Sequence, residues 1–535
     1  MTFSTLRALQ ASIGAAIDDI ERVYHERSQG NTLEYPSLDE PYYHTAEHTP
    51  EEELAEALKD DPAVVAASTR IVAACGQLAT TVNKPFFGLM ENLLRGQFTS
   101  AIRFLEAANI VEILREAGPE GLHVSEIHRL VLEVRANSKT ATPEDTVPLT
   151  PARLTHHLTE VKPNVFANNR VSSYIDSGKT VAQLRAAPEK KYNDTDGIAA
   201  YVAHSGDESL KFMSYFADWA LSEKRLIGRT HTNPDDRAPP PPPEGQLAKS
   251  GSAAEPDTTR AVPHYDAAFN LAFNTQLDFF SWLELPENEH RLERFGHAMM
   301  GTRQFETKGQ ILRAFSWEEL PQGSVLVDVG GGIGAQSIAV ADAYPHIRVV
   351  VEDREPVIAG AASAWGAEHA HLFESGRMSF RARDFFEAWA PLALPGRAPA
   401  DAPDVLLLRS VLHDWKDEDC KRILTRLRAA AGPHTKLLLG DMQLQHACAD
   451  DAAYAAADGS GATFPFVPRD SPLLPNLGVG NLLGYMTDIL MMGIAGAQER
   501  TADEITALAL STGWKIVEVR RTPGAIWSYT TAVPV

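Results

Sequence analysis

Residues 325–337 read VLVDVGGGIGAQS: an apolar run carrying an aspartate, then four glycines within five residues, then a helix-forming stretch. No other segment limits the possible folds so sharply. Glycine tolerates positive φ and, lacking Cβ, lets a ligand come close to the backbone. Gly330, Gly332 and Ala335 meet the spacing G-x-G-x-x-G/A, which many nucleotide and nucleoside sites share. The turn indicates that a ligand comes here and leaves its kind open.

The same rhythm of strand, turn and helix continues to the end of the chain. Candidate strands at 324–329, 347–352, 404–409, 435–440, 515–520 and 526–533 alternate with helical stretches such as AQSIAVADAY, DEDCKRILTRLRAA and ADEITALALSTG. The first four are continuous apolar runs, as parallel strands buried on both faces require. This alternation predicts a doubly wound α/β sheet over 321–535, with ligands at the carboxyl ends of its strands.

Upstream the period is helical. In FTSAIRFLEAANIVEILREAG, Ile102, Leu105, Ile110, Ile113 and Leu114 recur at helical spacing, and Gly118 is a stop signal. LHVSEIHRLVLEV, TPARLTHHLTEV and VFANNRVSSYI follow. They read as two short helices and a strand–turn–strand with Asn168-Asn169 at the turn, a winged-helix pattern. Residues 1–232 are therefore expected to form a helical and winged-helix domain. The segment 263–320 is helical and rich in Phe, Met and Trp, and is either core or a substrate wall. Two stretches read as insertions. Residues 233–262, with APPPPPEGQ, are expected to be a disordered surface loop; 446–475, within the sheet region, is a disordered loop or a flap beside a site.

Charge narrows the partners. The chain has 71 acidic against 49 basic residues, net −22. Such an excess repels phosphate backbones and anionic membranes, so neither nucleic acid nor membrane is an expected partner. The winged-helix pattern then reads as a packing and dimerisation module. The N-terminus is amphipathic and lacks the basic start and apolar block of a signal peptide. The apolar stretch 482–497 is interrupted by Asp488 and too short for a span. Cys75, Cys420 and Cys448 have neither metal-ligand nor disulfide spacing, which fits a reducing, cytoplasmic setting.

The strand ends carry the chemistry. Glu352-Asp353 closes the second strand about twenty residues past the glycines, where an acid accepts hydrogen bonds from a ribose. A nicotinamide enzyme and a methyltransferase both need that acid. Asp328, just before the turn, suits the cationic end of S-adenosylmethionine and would repel a pyrophosphate. An NAD-dependent oxidoreductase and a non-catalytic donor-binding regulator stay open as alternatives. The third strand continues into LLLRSVLHDWKDEDC, and the fourth ends at Gly440-Asp441. Asp414, Asp417, Glu418 and Asp419 read as acids opening a helix, favoured there by its dipole, in preference to a metal site.

Together VDVGGGIG, VVVEDREPVI, ARDFF, LLLRSVLHDWKDEDC, KLLLGDMQL and DILMMGIAGAQERT resemble the plant and fungal small-molecule O-methyltransferases, which include caffeate, flavonoid and fungal polyketide enzymes. VFANNR and FFSWLELPENEHRLERFGHAM resemble the fungal branch. The resemblance implies a Rossmann-like methyltransferase sheet and a homodimer whose N-terminal module covers the partner's cavity. It implies S-adenosylmethionine as donor, S-adenosylhomocysteine as product, no metal, and a small phenolic acceptor. By the same resemblance Gly330, Gly332 and Gly334 surround the methionine part of the donor, and Asp353 holds its ribose. Asp384 and Phe385 flank the adenine, and Arg409 stands where the family often has a lysine near the donor. His413 is the general base, with Asp441 and Glu499 flanking its imidazole. A phenol has a pKa of about 10, so removing its proton as the oxygen attacks lowers the barrier. Two positions depart from the family: Asp441 replaces the usual glutamate, and Gly496 stands where fungal relatives often have an acceptor-contacting asparagine.

Overall fold

Prolines set the start of several N-terminal helices. Pro50, Pro62 and Pro85 each occupy the first turn of a helix (Pro50–Ala57, Pro62–Val82 and Pro85–Leu93), where the missing N–H has no intrahelical partner to lose. The computed structural model describes residues 2–28, 33–135, 157–222, 266–306, 309–364, 369–388, 402–448, 467–521, 525 and 527–535. Helix Pro62–Val82 has the length and apolar content to cross a membrane. It lies along helix Phe3–Arg27, with Ala73 and Ala74 packed in one cluster with Leu9.

The periodic run after residue 94 is two helices, Arg95–Ala107 and Ile110–Ala117. They are broken at Asn109, which takes a left-handed φ of 55°, a conformation asparagine tolerates better than most residues. Leu105, Ile110, Ile113 and Leu114 are buried in one cluster and Ile102 packs against it. Strand β1 (Leu122–His123), helix Val124–Arg135, β2 (Thr159–Lys162) and β3 (Val165–Ala167) follow, and the three strands pair in the order β1-β3-β2. The strand–turn–strand is present, but its turn is at Asn164 (φ 64°) and not at Asn168-Asn169. Asn168 is buried and donates to Tyr43 Oη (2.9 Å) and the Val111 carbonyl (2.8 Å). Asn169 caps the helix Arg170–Ser173. Asparagine serves turns and N-caps equally well, and sequence alone did not separate the two uses. The expected second short helix falls mostly on 151–156, outside the described residues, as does the insertion 233–262.

The large sheet contains β4 (Ser324–Val329), β5 (Ile347–Asp353), β6 (Met378–Ala382), β7 (Val405–Arg409), β8 (Lys436–Leu444), β9 (Arg500–Thr501), β10 (Trp514–Arg521) and β11 (Trp527–Pro534). Its order is β10-β11-β8-β7-β4-β5-β6, with β9 pairing the end of β8. Strands β6, β5, β4, β7 and β8 are parallel, while β11 is antiparallel to both β8 and β10. Alternate residues of β4 feed opposite cores: Val325, Val327 and Val329 one side, Leu326 the other. That double burial is why the strand reads as an unbroken apolar run. Strand β6, absent from the sequence reading, is the half-buried edge MSFRA, too polar to stand out. Chain order reverses between β4 and β7, and the crevice at their carboxyl ends is the natural ligand site of such a sheet.

Ahead of the sheet, Phe269, Phe279 and Trp282 are buried with Phe212 and Ile494, so the core alternative holds for these three. In the second insertion, 449–466 lies outside the described residues. Its last part is neither loose nor a free flap: Val467 and Leu473 are buried with Leu9, Ala73 and Ala74.

Candidate active site

The glycine turn is built by close approaches. Gly330 N and Gly331 N both donate to the Glu352 carbonyl (2.8 and 3.2 Å), tying the turn to β5. A Cβ on Gly331 would lie 2.5 Å from the Asp328 carboxyl carbon, and one on Gly334 (φ 82°) would lie 2.8 Å from Met378. Gly332 differs. It has φ 58° and open space where its Cβ would project. Its N–H donates to Asp353 Oδ2 at 2.7 Å, and Arg354 N–H donates to Asp353 Oδ1 at 2.7 Å. A carboxylate has about four lone-pair sites, so Asp353 keeps acceptor capacity for two ribose hydroxyls. Asp328 is buried beneath the turn and accepts from Ser337 Oγ at 2.6 Å. Burial pushes its pKa up to about 6 against the opposing effects of Ser337 and Arg409.

Of the other expected donor residues, Phe385 stands near this turn. Phe385 lies 3.7 Å from where a Gly330 Cβ would sit, and its ring meets the edge of Trp415 at 5.8 Å. Asp384 is exposed and accepts from Phe386 N at 2.8 Å. Arg409 is partly buried; it pairs with Glu306 at 2.7 Å and stacks on Trp527 at 4.6 Å, and its charge acts on Asp328 beneath the turn. Tyr529 Oη donates to the other oxygen of Glu306 at 2.6 Å. The residues fit S-adenosylmethionine, with an open glycine backbone at Gly332 and, at the end of β5, a carboxylate with acceptor capacity to spare for a ribose.

The histidine turn begins where β7 ends. Ser410 has φ 54°, a strained conformation of the kind that collects at functional sites. Val411 packs into the space above Gly330, 2.8 Å from its would-be Cβ. A short 3-10 turn, Leu412–Asp414, then presents His413. Its Nδ1 lies 2.7 Å from Glu499 Oε1. A carboxylate only accepts, so Nδ1 carries the proton and Nε2 keeps the lone pair when the ring is neutral. Asp414 Oδ1 stands 3.6 Å from Nε2. Burial alone would lower the imidazole pKa, but the charge of Glu499, then those of Asp414 and Asp441, raise it to about 10.

Asp441 and Glu499 do not flank the ring alike. Glu499 holds it directly and is itself fixed by Asp488, which accepts from the Glu499 N–H at 2.9 Å. Asp441 is buried, and among the described residues its Oδ1 has no hydrogen-bond partner. Burial raises its pKa to about 7, opposed by His413 and reinforced by Glu499. The side chain is one methylene shorter than the glutamate of the family.

Asp417, Glu418 and Asp419 open helix Asp417–Ala430 as expected. Asp414 does not: it belongs to the preceding turn, beside the imidazole. The sequence reading missed it because four acids in six residues look like one helix start. Arg500, which holds that turn from behind, gave no signal beyond following Glu499. Among the described residues, no group of three His, Cys, Asp or Glu side chains is disposed to hold a metal ion. Gly496 caps helix Leu482–Ala495 at φ 63°, and a Cβ there would lie 2.6 Å from the Asp266 carbonyl. A side chain at this position would require that carbonyl to move.

The structure thus joins a doubly wound sheet, a nucleoside-type turn after β4, and a histidine–glutamate contact between the turn after β7 and the residue preceding β9. Solved structures agree on the fold. LepI in complex with S-adenosylmethionine matches with a TM-score of 0.56 and 16% identity, covering 90% of this chain and 100% of that one. OxaC in complex with S-adenosylhomocysteine and oxaline matches at 0.56 and 16%, covering 98% and 100%. In sequence, residues 259–457 match the O-methyltransferase domain. A 4-O-methyltransferase of Phanerochaete chrysosporium is 33% identical over 97% of this chain and 96% of its own. An O-methyltransferase of Armillaria gallica is 31% identical over 96% and 95%. The chain belongs to this O-methyltransferase family, and its methyl donor is S-adenosylmethionine. The nicotinamide reading is thereby set aside.

Proposed function

We propose that the enzyme methylates a phenolic hydroxyl of a small aromatic molecule, with His413 as general base. The observation that carries this reading is the 2.7 Å contact of His413 Nδ1 with Glu499, on a turn that packs through Val411 against Gly330. Base and donor turn thus meet at the crevice between β4 and β7. S-adenosylmethionine supplies an electrophilic methyl group on a sulfonium. The chain's own residues then do two things. Asp353 and the glycine turn fix the donor, and His413 Nε2 takes the acceptor proton while Glu499 stabilises the imidazolium that forms. An imidazole raised toward the pKa of a phenol makes that transfer nearly even in energy.

The relative from Phanerochaete is named for 4-O-methylation, which directs attention to an acceptor hydroxyl at a 4-position. The test is a panel of phenols incubated with S-adenosylmethionine and read by mass. Gain of one methyl on phenols but not on matched alcohols is expected, and methylation of neither or of alcohols alone overturns the reading.

The working unit is proposed to be a homodimer. Phe86, Phe87, Leu89 and Leu93 on helix Pro85–Leu93, and Leu94 that follows it, are all exposed, an apolar surface that needs cover. Sedimentation at micromolar concentration should give twice the chain mass, and a monomer would refute it.

A further inference from the structure

We infer that Arg500 is a positioning residue of the reaction, holding the main chain of the His413 turn while its neighbour Glu499 holds the ring; the inference rests on His413 being the base. Arg500 lies on β9, in register with Gln443 at the end of β8, and is buried. Its Nη1 donates to the Leu412 carbonyl at 2.8 Å and its Nη2 to the Trp415 carbonyl at 2.9 Å. These two carbonyls bracket His413 and Asp414. The other edge of the guanidinium reaches Asp417 Oδ1, from Nε at 3.1 Å and Nη2 at 2.9 Å, and Nη2 lies 3.4 Å from Cys420 Sγ.

One planar fork therefore ties both ends of the base turn to the first residue of helix Asp417–Ala430. A lysine has a single point of charge and no fork, so it cannot hold two carbonyls and a carboxylate in fixed relation. Two adjacent residues at the start of β9 thus set the imidazole: Glu499 through its Nδ1 proton, Arg500 through the backbone on either side of it. Cys420, whose thiol is pushed up to about 12, chiefly by burial, lies against the same two carbonyls, 3.2 Å from that of Leu412 and 3.4 Å from that of Trp415, as a neutral donor beside the guanidinium.

A buried arginine that merely stabilised the fold would make the same contacts, so the test must read the imidazole. R500K is compared in the wild-type and H413A backgrounds, with donor affinity measured by calorimetry. A shift of the imidazole by a fraction of an ångström to an ångström costs roughly 10–10²-fold, and R500K should lower kcat by that factor with donor affinity unchanged. In the H413A background R500K should cost nothing further, because there is no base left to misplace. Equal fold-losses in both backgrounds would overturn the inference and leave Arg500 a structural residue. If H413A alone has a wild-type rate, the assignment of the base fails, and this inference with it. Should R500K be insoluble, D417N carries the same comparison: Asp417 is 58% exposed, and releasing one edge of the fork should give a smaller loss, again confined to the background that has His413.

Discussion

The turn after β4 and the turn after β7 meet at one crevice but are built from different materials. The donor turn is backbone. Gly330, Gly331 and Gly334 are required by the approaches of Val411, Asp328 and Met378, and Gly332 presents an open face. Asp328, the glycines and Asp353 all lie between residues 328 and 353, on the spacing expected of a nucleoside turn. The base turn is held by charge from afar: His413 by Glu499, and the turn around it by Arg500, both more than eighty positions away. A local device leaves its pattern in the sequence. A device assembled across the sheet leaves only residue types whose partners the fold must supply.

Breaking the base turn should have the largest effect on turnover. H413A is expected to lower kcat by roughly 10²–10⁴-fold, the usual range for loss of a general base, with donor affinity unchanged. Phenols whose hydroxyl is already acidic should lose least. If an ordinary phenol is still turned over at the wild-type rate, positioning alone carries the reaction.

Breaking the donor turn should show in binding. D353A removes the acceptor of the Gly332 and Arg354 N–H groups and of the ribose hydroxyls. Hydrogen bonds to a charged acceptor contribute on the order of 1.5–3 kcal/mol each, so calorimetry should show donor affinity weakened by about ten- to a hundredfold. Unchanged affinity would remove Asp353 from the site.

The contrast between the turns explains what the sequence could show. Strand β4 was legible to the residue because Val325, Val327 and Val329 face one core and Leu326 the other. Strand β6 was not, because Ser379 and Arg381 alternate with its apolar residues on an exposed edge. Asn168-Asn169 looked like a turn and proved to be a buried anchor and a helix cap, since the same side-chain chemistry serves both. At the site, the glycines and Asp353 announced themselves by spacing. Asp414 was hidden among the helix-opening acids that follow it, and Arg500 had no local pattern at all.

The Glu499 contact can be sharpened by pH. With Glu499 ionised, the imidazole pKa is raised to about 10, so the wild-type rate should climb with pH well above the ordinary histidine range of about 6.5. E499Q removes the largest of the charges that favour the imidazolium. Its pKa must then fall, and the rising limb must move to lower pH. The neutral imidazole of the variant is also a weaker base, so the plateau rate should drop by about tenfold. The deficit should narrow as pH falls, where the wild type is largely protonated. A limb at an unchanged position would mean that the titration belongs to another group.

The smallest effect is expected at Asp441, and its pH dependence tests why the two carboxylates differ. Asp441 makes no hydrogen bond to the imidazole, and its Oδ1 is unpartnered among the described residues. Burial holds its pKa up at about 7, so below that pH it is mostly a neutral acid and lends the ring no charge. D441N should therefore be nearly silent at pH 6. Above pH 7 the wild-type residue ionises and favours the imidazolium, support that the amide lacks. The variant's rising limb should accordingly lie slightly below that of the wild type, by less than the shift seen in E499Q, because Asp441 acts through space and Glu499 through a 2.7 Å contact. Should D441N cost as much as E499Q at pH 6, Asp441 would be holding the ring directly when acceptor is bound, and the missing methylene would have no consequence for the reaction.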